Sequence, residues 1–96
     1  MIQKTHYKTK DYAKVKFTIS PEGAKKVELF GLNNEWKKPL ALTKKKDGSF
    51  SVEVNLPKNS QHEFKYLIDK KEWWNDETAD SEHPNAFGGT NSVISI

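Results

Sequence analysis

The sequence predicts an all-β, immunoglobulin-like antiparallel β-sandwich, and three observations carry that prediction. Several short segments alternate apolar with polar residues, which is the period of a strand with one buried face. Turn signals rich in Gly, Pro, Asn and Asp separate these segments, and no segment has a convincing helical period. The 96 residues suffice for one domain. We therefore expect a single sandwich of about six to eight short strands.

The clearest predicted strand begins at Phe50 and ends at Pro57, with four apolar residues on one face. Lys46-Asp47-Gly48 before it is a hairpin signal, because Asp-Gly readily supplies positive φ angles. The segment from residue 75 to 91 has no period and is predicted to be a long loop, of a length that is usually functional or disordered. Further strands are predicted around residues 15–19, 27–31, 40–42, 64–68, 72–74 and 93–96. Residues 1–11 are predicted to be an N-terminal extension or edge strand, and residues 12–96 the sandwich domain.

Composition excludes several function classes. The net charge is +3, but all 16 basic residues are lysine and 13 acidic residues balance them, so the arginine fork that reads phosphate and guanine is missing and we expect no nucleic-acid partner. There is no cysteine, which excludes disulfides and thiolate metal sites. The histidines lack metal-ligand spacing, so no metal or cofactor is expected. No apolar run suggests a signal peptide or membrane span, and the expected compartment is the cytoplasm.

The three tryptophans are the candidate functional residues, because all lie in polar, turn-like surroundings. Trp36 follows an Asn-Asn-Glu loop, and Trp73 and Trp74 lie between charged residues and Asn75. Large aromatic faces beside amides and charges suit a ligand that is apolar on its faces and hydroxylated at its rim, such as a sugar. Trp36 could instead anchor its loop. Because adjacent strand residues point to opposite faces, one of Trp73 and Trp74 is expected in the core.

Four motifs occur in an order and spacing that resemble a known carbohydrate-binding family. They are Val27–Gly31 followed by Asn-Glu-Trp at 34–36, the strand at 64–69, Trp73 with Asp76, and residues 85–93 around the Gly-Gly pair. Over residues 12–96 the chain resembles the early-set, isoamylase N-terminal module of family 48 type. That module occurs in glycogen-branching enzymes and in the beta subunit of AMP-activated kinase.

The resemblance implies a non-catalytic module that binds α-1,4-linked glucan, such as glycogen, starch or maltooligosaccharide. Its sugar contacts fall on Trp36, Lys65, Trp73 and Asn91, with Trp74 as the alternative to Trp73 because the turn before this pair is longer than in the family. Asn91 could alternatively cap a turn before the last strand. The chain departs from the family at Asn33, where an aromatic is usual, and at Gly89, where threonine is common.

Two other functions remain open from the sequence. The chain could be an accessory domain of a glycoside hydrolase or branching enzyme, without activity of its own, with a glycogen-metabolising enzyme as its partner. It could also be a protein-interaction sandwich whose tryptophans form a hot spot. A buried catalytic cleft is disfavoured, because glycosidases need two carboxylates flanking an enclosed sugar and the chain is too short to build such a cleft.

Overall fold

Two antiparallel sheets make up the computed structural model, which describes residues 1–32 and 36–96. The first sheet contains β1 (Ile2–His6), β2 (Tyr12–Ile19), β5 (Thr43–Lys44) and β6 (Phe50–Pro57). The second contains β3 (Val27–Gly31), β4 (Leu40–Ala41), β7 (Gln61–Ile68), β8 (Glu72–Trp74), β9 (Ser81–Pro84) and β10 (Thr90–Ser95). The first sheet has the strand order β1-β2-β6-β5 and the second the order β4-β3-β7-β10-β9, with β8 also pairing with β7. This architecture confirms the predicted all-β sandwich.

The core lies between the two sheets and is filled by the alternating apolar residues of the long strands. The rings of Phe17 on β2 and Phe64 on β7 meet edge to face across it, with centroids 5.2 Å apart. Each fully buried side chain of this size contributes about 1.5–3 kcal/mol relative to exposure. The buried cluster contains Val15, Phe17, Ala24, Val27, Leu29, Leu42, Phe50, Leu56, Phe64, Tyr66, Ile68 and Ile94.

The predicted hairpin between β5 and β6 is confirmed, with a turn of slightly different geometry. Only Gly48 has a positive φ there, 88°, and its N–H donates to the Lys45 carbonyl at 3.0 Å. The Asp47 carboxylate accepts hydrogen bonds from the backbone N–H and the hydroxyl of Ser49. These bonds lower the pKa of Asp47 from its ordinary value. The turn thus needs glycine at one position rather than at two.

The prediction of an irregular segment from residue 75 to 91 is wrong in part, because β9 lies inside it. β9 pairs antiparallel with β10, with Pro84 opposite Thr90. Its four residues are all exposed, so they leave no apolar period in the sequence. Proline is tolerated because β9 is the outermost strand of its sheet. The irregular connection between β9 and β10 is therefore short, and it covers residues 85–89.

Asp76 is a buried carboxylate that ties the segment after β8 to the second sheet. The Tyr66 hydroxyl donates to its Oδ2 at 2.7 Å, and the N–H and hydroxyl of Thr78 donate to its Oδ1. Burial alone acts to raise the pKa of Asp76, but the hydrogen bonds from Thr78 and Tyr66 outweigh it, so the pKa is lowered. For Tyr66, burial and the bond to Asp76 both raise the pKa. Asp76 is therefore an ionised acceptor that fixes the start of this segment.

No helix in the described part of the chain is long and apolar enough to cross a membrane.

Candidate functional site

The outer face of the second sheet brings aromatic and polar side chains together. Along β7, Glu63 and Lys65 alternate with the buried Phe64 and Tyr66, so both point away from the core. Lys65 pairs with Phe30 on β3, and Leu67 pairs with Trp73 on β8. Residues two apart on a strand share a face, so Lys65 and Trp73 lie on the same side of the sheet.

Trp73 is positioned by the hairpin between β7 and β8, whose turn is tight although the sequence indicated a turn longer than the family's. Asp69 and Lys70 both adopt positive φ, 50° and 61°, and the Lys71 N–H donates to the Ile68 carbonyl at 2.9 Å. The Asp69 carboxylate accepts the backbone N–H groups of residues 25 and 26, each at 2.8 Å, and these bonds lower its pKa. This support holds a turn that otherwise favours Asn-Gly or Asp-Gly. Trp73 itself packs edge to face on Phe30, with centroids 5.1 Å apart.

Trp36 approaches Trp73 from the loop that follows β3. The two ring centroids are 6.5 Å apart and the ring planes are inclined at 63°. The exposed fractions are 37% for Trp36 and 50% for Trp73, so both rings reach solvent. Trp36 adopts φ 71°, a left-handed conformation that costs a bulky residue about 1–3 kcal/mol and that concentrates at functional sites. The preceding motif residues, Asn33, Asn34 and Glu35, lie outside the described residues.

These side chains border one open cleft of about 760 Å³. Four of the five predicted site residues line it, which are Trp36, Lys65, Trp73 and Asn91. The other lining residues are Glu63, His83, Pro84, Asn85, Ala86 and Phe87. The sequence therefore predicts a set of residues that the fold brings to one place, although they come from three strands and a loop. Their part in sugar binding stays a prediction.

Trp74 is the fifth predicted residue, and it does not line this cleft. It pairs with Tyr66, so it points to the opposite side of the sheet from Trp73, and its indole N–H donates to Glu72 at 3.1 Å. The expectation that one member of the pair is in the core is wrong, because Trp74 is 39% exposed. The reason is the position of β8, a strand of three exposed residues that pairs with the end of β7.

Asn91 forms the polar wall of the cleft together with two neighbours. It is the second residue of β10 rather than a cap before it. Its Nδ2 donates to Glu63 Oε1 at 3.1 Å, and its Oδ1 accepts from Asn85 Nδ2, also at 3.1 Å. His83 Nδ1 lies 3.6 Å from the same Glu63 oxygen. The wall thus offers a carboxylate, amides and an imidazole beside the aromatic rings.

Phe87 is a cleft residue that sequence reasoning did not find. It lies in the loop between β9 and β10 and is 96% exposed, so its ring has almost no protein contact. The loop is ordered by Asn85, whose Oδ1 accepts the N–H groups of Phe87 and Gly89. A single phenylalanine in a segment without a period gives no sequence signal for exposure. The one available hint is its place before a Gly-Gly pair.

The site offers binding chemistry, and its ionisable groups are few. Lys65 can only donate hydrogen bonds, the Glu63 carboxylate can only accept them, and Asn91 can do both. Among residues 1–32 and 36–96, no group of three or more His, Cys, Asp or Glu side chains could hold a metal ion. The arrangement is suited to a neutral ligand with apolar faces and many hydroxyl groups.

Comparisons with known proteins identify a family and a shared fold. A family model described as the glycogen recognition site of AMP-activated protein kinase matches residues 14–96, which confirms the predicted resemblance. A solved structure of the enterobactin esterase from Shigella flexneri aligns with a TM-score of 0.75 and 10% identity. The alignment covers 99% of this chain and 32% of the esterase, so the chain spans about a third of that structure's length and the likeness shows the fold alone. No curated protein matches the sequence.

Proposed function

We propose, on the premise that this chain belongs to the family of the glycogen recognition site of AMP-activated protein kinase, that it binds α-1,4-linked glucan in the cleft of its second sheet. Membership makes the chain a carbohydrate-binding module. One observation supports the finer proposal: two solvent-exposed indoles, Trp36 and Trp73, lie 6.5 Å apart beside a lysine and an amide.

Stacking on the two indoles is the main source of binding energy in this proposal. A glucose ring presents axial C–H groups on its faces, and these hydrogens pack on the electron-rich face of an indole. The ring also removes apolar surface of both partners from water. Trp36 and Trp73 expose enough ring to accept such contacts. Each aromatic contact is expected to contribute about 0.5–1.5 kcal/mol beyond burial.

Hydrogen bonds at the rim of the sugar supply orientation. Lys65 donates to hydroxyl oxygens, and Asn91 keeps one N–H and one oxygen lone pair beyond its bonds to Glu63 and Asn85. Each such bond nets about 0.5–1.5 kcal/mol. Together with stacking, these contacts suggest an affinity between about millimolar and micromolar. A branched polymer would strengthen the attachment through multiple sites.

The inclination of the indoles favours an α-1,4 linkage over a β-1,4 linkage. Successive rings of an α-1,4-linked chain are tilted against one another, and the chain curves, whereas a β-1,4-linked chain is a flat ribbon. Two platforms at 63° suit tilted rings, since coplanar rings could not lie flat on both. Maltoheptaose should therefore bind and cellohexaose should not.

The test is a tryptophan fluorescence titration with maltoheptaose. We expect a saturable quench or shift in the wild-type protein and its loss in Trp36→Ala, because that variant lacks one platform. Trp74→Ala is the matched control: it also removes one exposed tryptophan, but from outside the cleft, and it should bind as the wild type does. Equal binding by wild type and Trp36→Ala would remove Trp36 from the site. Equal responses to maltoheptaose and cellohexaose would overturn the linkage preference.

We expect binding without cleavage. Retaining and inverting glycosidases use two carboxylates on either side of the scissile bond, whereas Glu63 is the one acidic residue among the described residues that line the cleft. Incubation with amylose should release no reducing ends above a buffer control. A release that disappears in Glu63→Gln would instead identify an enzyme.

A further inference from the structure

We propose that Asn85 and Glu63 are positioning residues that hold the Asn91 amide in one orientation and join it to the loop that carries Phe87. This inference rests on the function proposed above. It adds two residues that act on the ligand through Asn91 and Phe87, and it assigns a direction to a hydrogen-bonded chain along the polar wall of the cleft.

The chain of hydrogen bonds runs from the loop between β9 and β10 to β7. Asn85 Oδ1 accepts the Phe87 N–H at 2.9 Å and the Gly89 N–H at 3.1 Å. Asn85 Nδ2 donates to Asn91 Oδ1, and Asn91 Nδ2 donates to Glu63 Oε1, both at 3.1 Å. A loop, β10 and β7 are thus connected through three consecutive side chains.

The direction of this chain is imposed at both ends by groups that cannot reverse. Backbone N–H groups can only donate, so Asn85 must turn its oxygen towards the loop and its Nδ2 towards Asn91. An ionised carboxylate can only accept, so Asn91 must turn its Nδ2 towards Glu63. Both amide orientations therefore follow from fixed partners rather than from a choice between oxygen and nitrogen. Asn91 presents the same free N–H and the same lone pair to every ligand.

Asn85 also couples the apolar and polar parts of the site. The same side chain that orients Asn91 closes the loop, whose apex carries the exposed Phe87 ring, and the backbone closes it again where the Asn85 N–H donates to the Gly89 carbonyl at 2.9 Å. A loop and an amide that are ordered before the ligand arrives lose less conformational freedom on binding. Asn85 thus improves affinity even though Asn91 and Phe87 make the contacts.

Asn85→Asp separates the two roles of Asn85. The new carboxylate still accepts the N–H groups of Phe87 and Gly89, but it cannot donate to Asn91. We expect maltoheptaose to bind about tenfold more weakly, since one oriented hydrogen bond to the ligand is lost. The backbone amide signals of residues 86–89 should keep their wild-type positions in the NMR spectrum apart from small local shifts.

Glu63→Gln keeps an oxygen that can accept from Asn91, but the Gln amide can also turn over and donate, so the direction of the hydrogen bonds is then imposed at the Asn85 end only. We expect an affinity for maltoheptaose between those of the wild type and Asn85→Asp, and wild-type affinity would show that Glu63 is not a positioning residue. The double variant with Asn85→Asp and Glu63→Gln exchanges a carboxylate and an amide at unchanged net charge. The hydrogen bonds between residues 85, 91 and 63 can then form in the opposite donor-to-acceptor direction, with the Asn91 amide turned over. We expect an ordered loop but affinity as weak as in Asn85→Asp.

Amide-detected titrations of the wild type, both single variants and the double variant distinguish the possible failures. Wild-type affinity in Asn85→Asp would show that Asn91 needs no orientation and would overturn the inference alone. Wild-type affinity in the double variant would show that Asn91 must be hydrogen-bonded but that its amide can face either way, and this result also overturns the inference. Absence of any response of the wild type to maltoheptaose would overturn the proposed function, and the inference with it.

Discussion

The outer faces of the two sheets follow the same alternation but carry different chemistry. On the first sheet, most outward positions of β2 and β6 are polar, as in the pairs Lys16 with Glu53 and Thr18 with Ser51, and Tyr12 pairs with Pro57 at one end. On the second sheet, Phe30 and Trp73 pack against each other beside Lys65. Alternation decides which side chains point away from the core. The chemistry of these outward side chains then distinguishes a solvated face from a candidate ligand surface.

The strongest way to break the aromatic face is through the backbone beneath it. A Cβ at Gly31 would lie 2.3 Å from the Glu63 carbonyl oxygen and 2.9 Å from the Phe64 Cα, at φ 103°. We expect Gly31→Ala to lower the free energy of unfolding by about 3–5 kcal/mol, because steric overlap adds to backbone strain. Gly48→Ala, in the hairpin of the first sheet, has open space at φ 88° and should cost about 1 kcal/mol. Urea unfolding measures both, and equal losses would contradict this reasoning.

Removing one indole compares the outer faces of the two sheets in their affinity for sugar. Trp73→Ala removes a platform and its contact with Phe30, so we expect affinity for maltoheptaose to fall about 10- to 100-fold. Lys16→Ala on the other outer face should change it by less than about twofold. Isothermal titration calorimetry reports both values. A comparable loss in Lys16→Ala would place sugar on the first sheet.

The segment after β8 buries the Asp76 carboxylate against the second sheet, which predicts a pH effect on stability. The pKa of Asp76 is lower in the folded than in the unfolded state. Its contribution to the free energy of unfolding is therefore present above the unfolded pKa of about 3.9 and is lost as the pH falls through the folded pKa. Asp76→Asn should cost about 1–2 kcal/mol at neutral pH, since the hydrogen bonds to an ion weaken.

Below about pH 4 the stability of Asp76→Asn should fall less steeply than that of the wild type. Urea unfolding at several pH values from neutral to acidic measures the two slopes. Asp69 and Asp80 also have lowered pKa values, so some slope remains in the variant. Parallel curves for the two proteins would show that Asp76 does not titrate in the unfolding transition.

The smallest effect is expected on the polar face. Lys14 Nζ lies 3.8 Å from Glu53 Oε2, and both side chains are about half exposed. An ion pair of this kind contributes little, so Lys14→Ala should change the free energy of unfolding by less than about 0.5 kcal/mol. Thermal unfolding at low salt, where such a pair is strongest, is the strictest measurement. A larger loss would mean that this face is more than a solvated surface.

The sequence predicted the parts of the fold in which one residue period decides burial. β2, β6 and β7 alternate cleanly because one face of each is buried. β9 was missed because all four of its residues are exposed, and an edge strand with no buried face leaves no period. For the same reason, the two faces of β8 could not be told apart by burial, and the expectation that one of Trp73 and Trp74 lies in the core was wrong.

The site residues that belong to sequence motifs were predictable, whereas the contacts between side chains far apart in the sequence were not. Trp36, Lys65, Trp73 and Asn91 follow from the resemblance, and they line one cleft. The contacts of Asn91 with Asn85 and Glu63 depend on the pairing of β9, β10 and β7. That pairing brings together residues up to 28 positions apart, which no local pattern encodes. Phe87 was missed because exposure of a single ring depends on how its loop closes.

Pro84 affects how copies of the domain behave when they are packed closely together. A polymer with many attachment points concentrates copies of any domain that holds it, and adjacent copies could then join through unpaired strand edges. At the edge of the second sheet, Pro84 lacks one N–H that such joining would use, while Glu82 and His83 beside it are exposed and polar. The domain can therefore be densely loaded on a surface without that edge becoming a template for fibre growth.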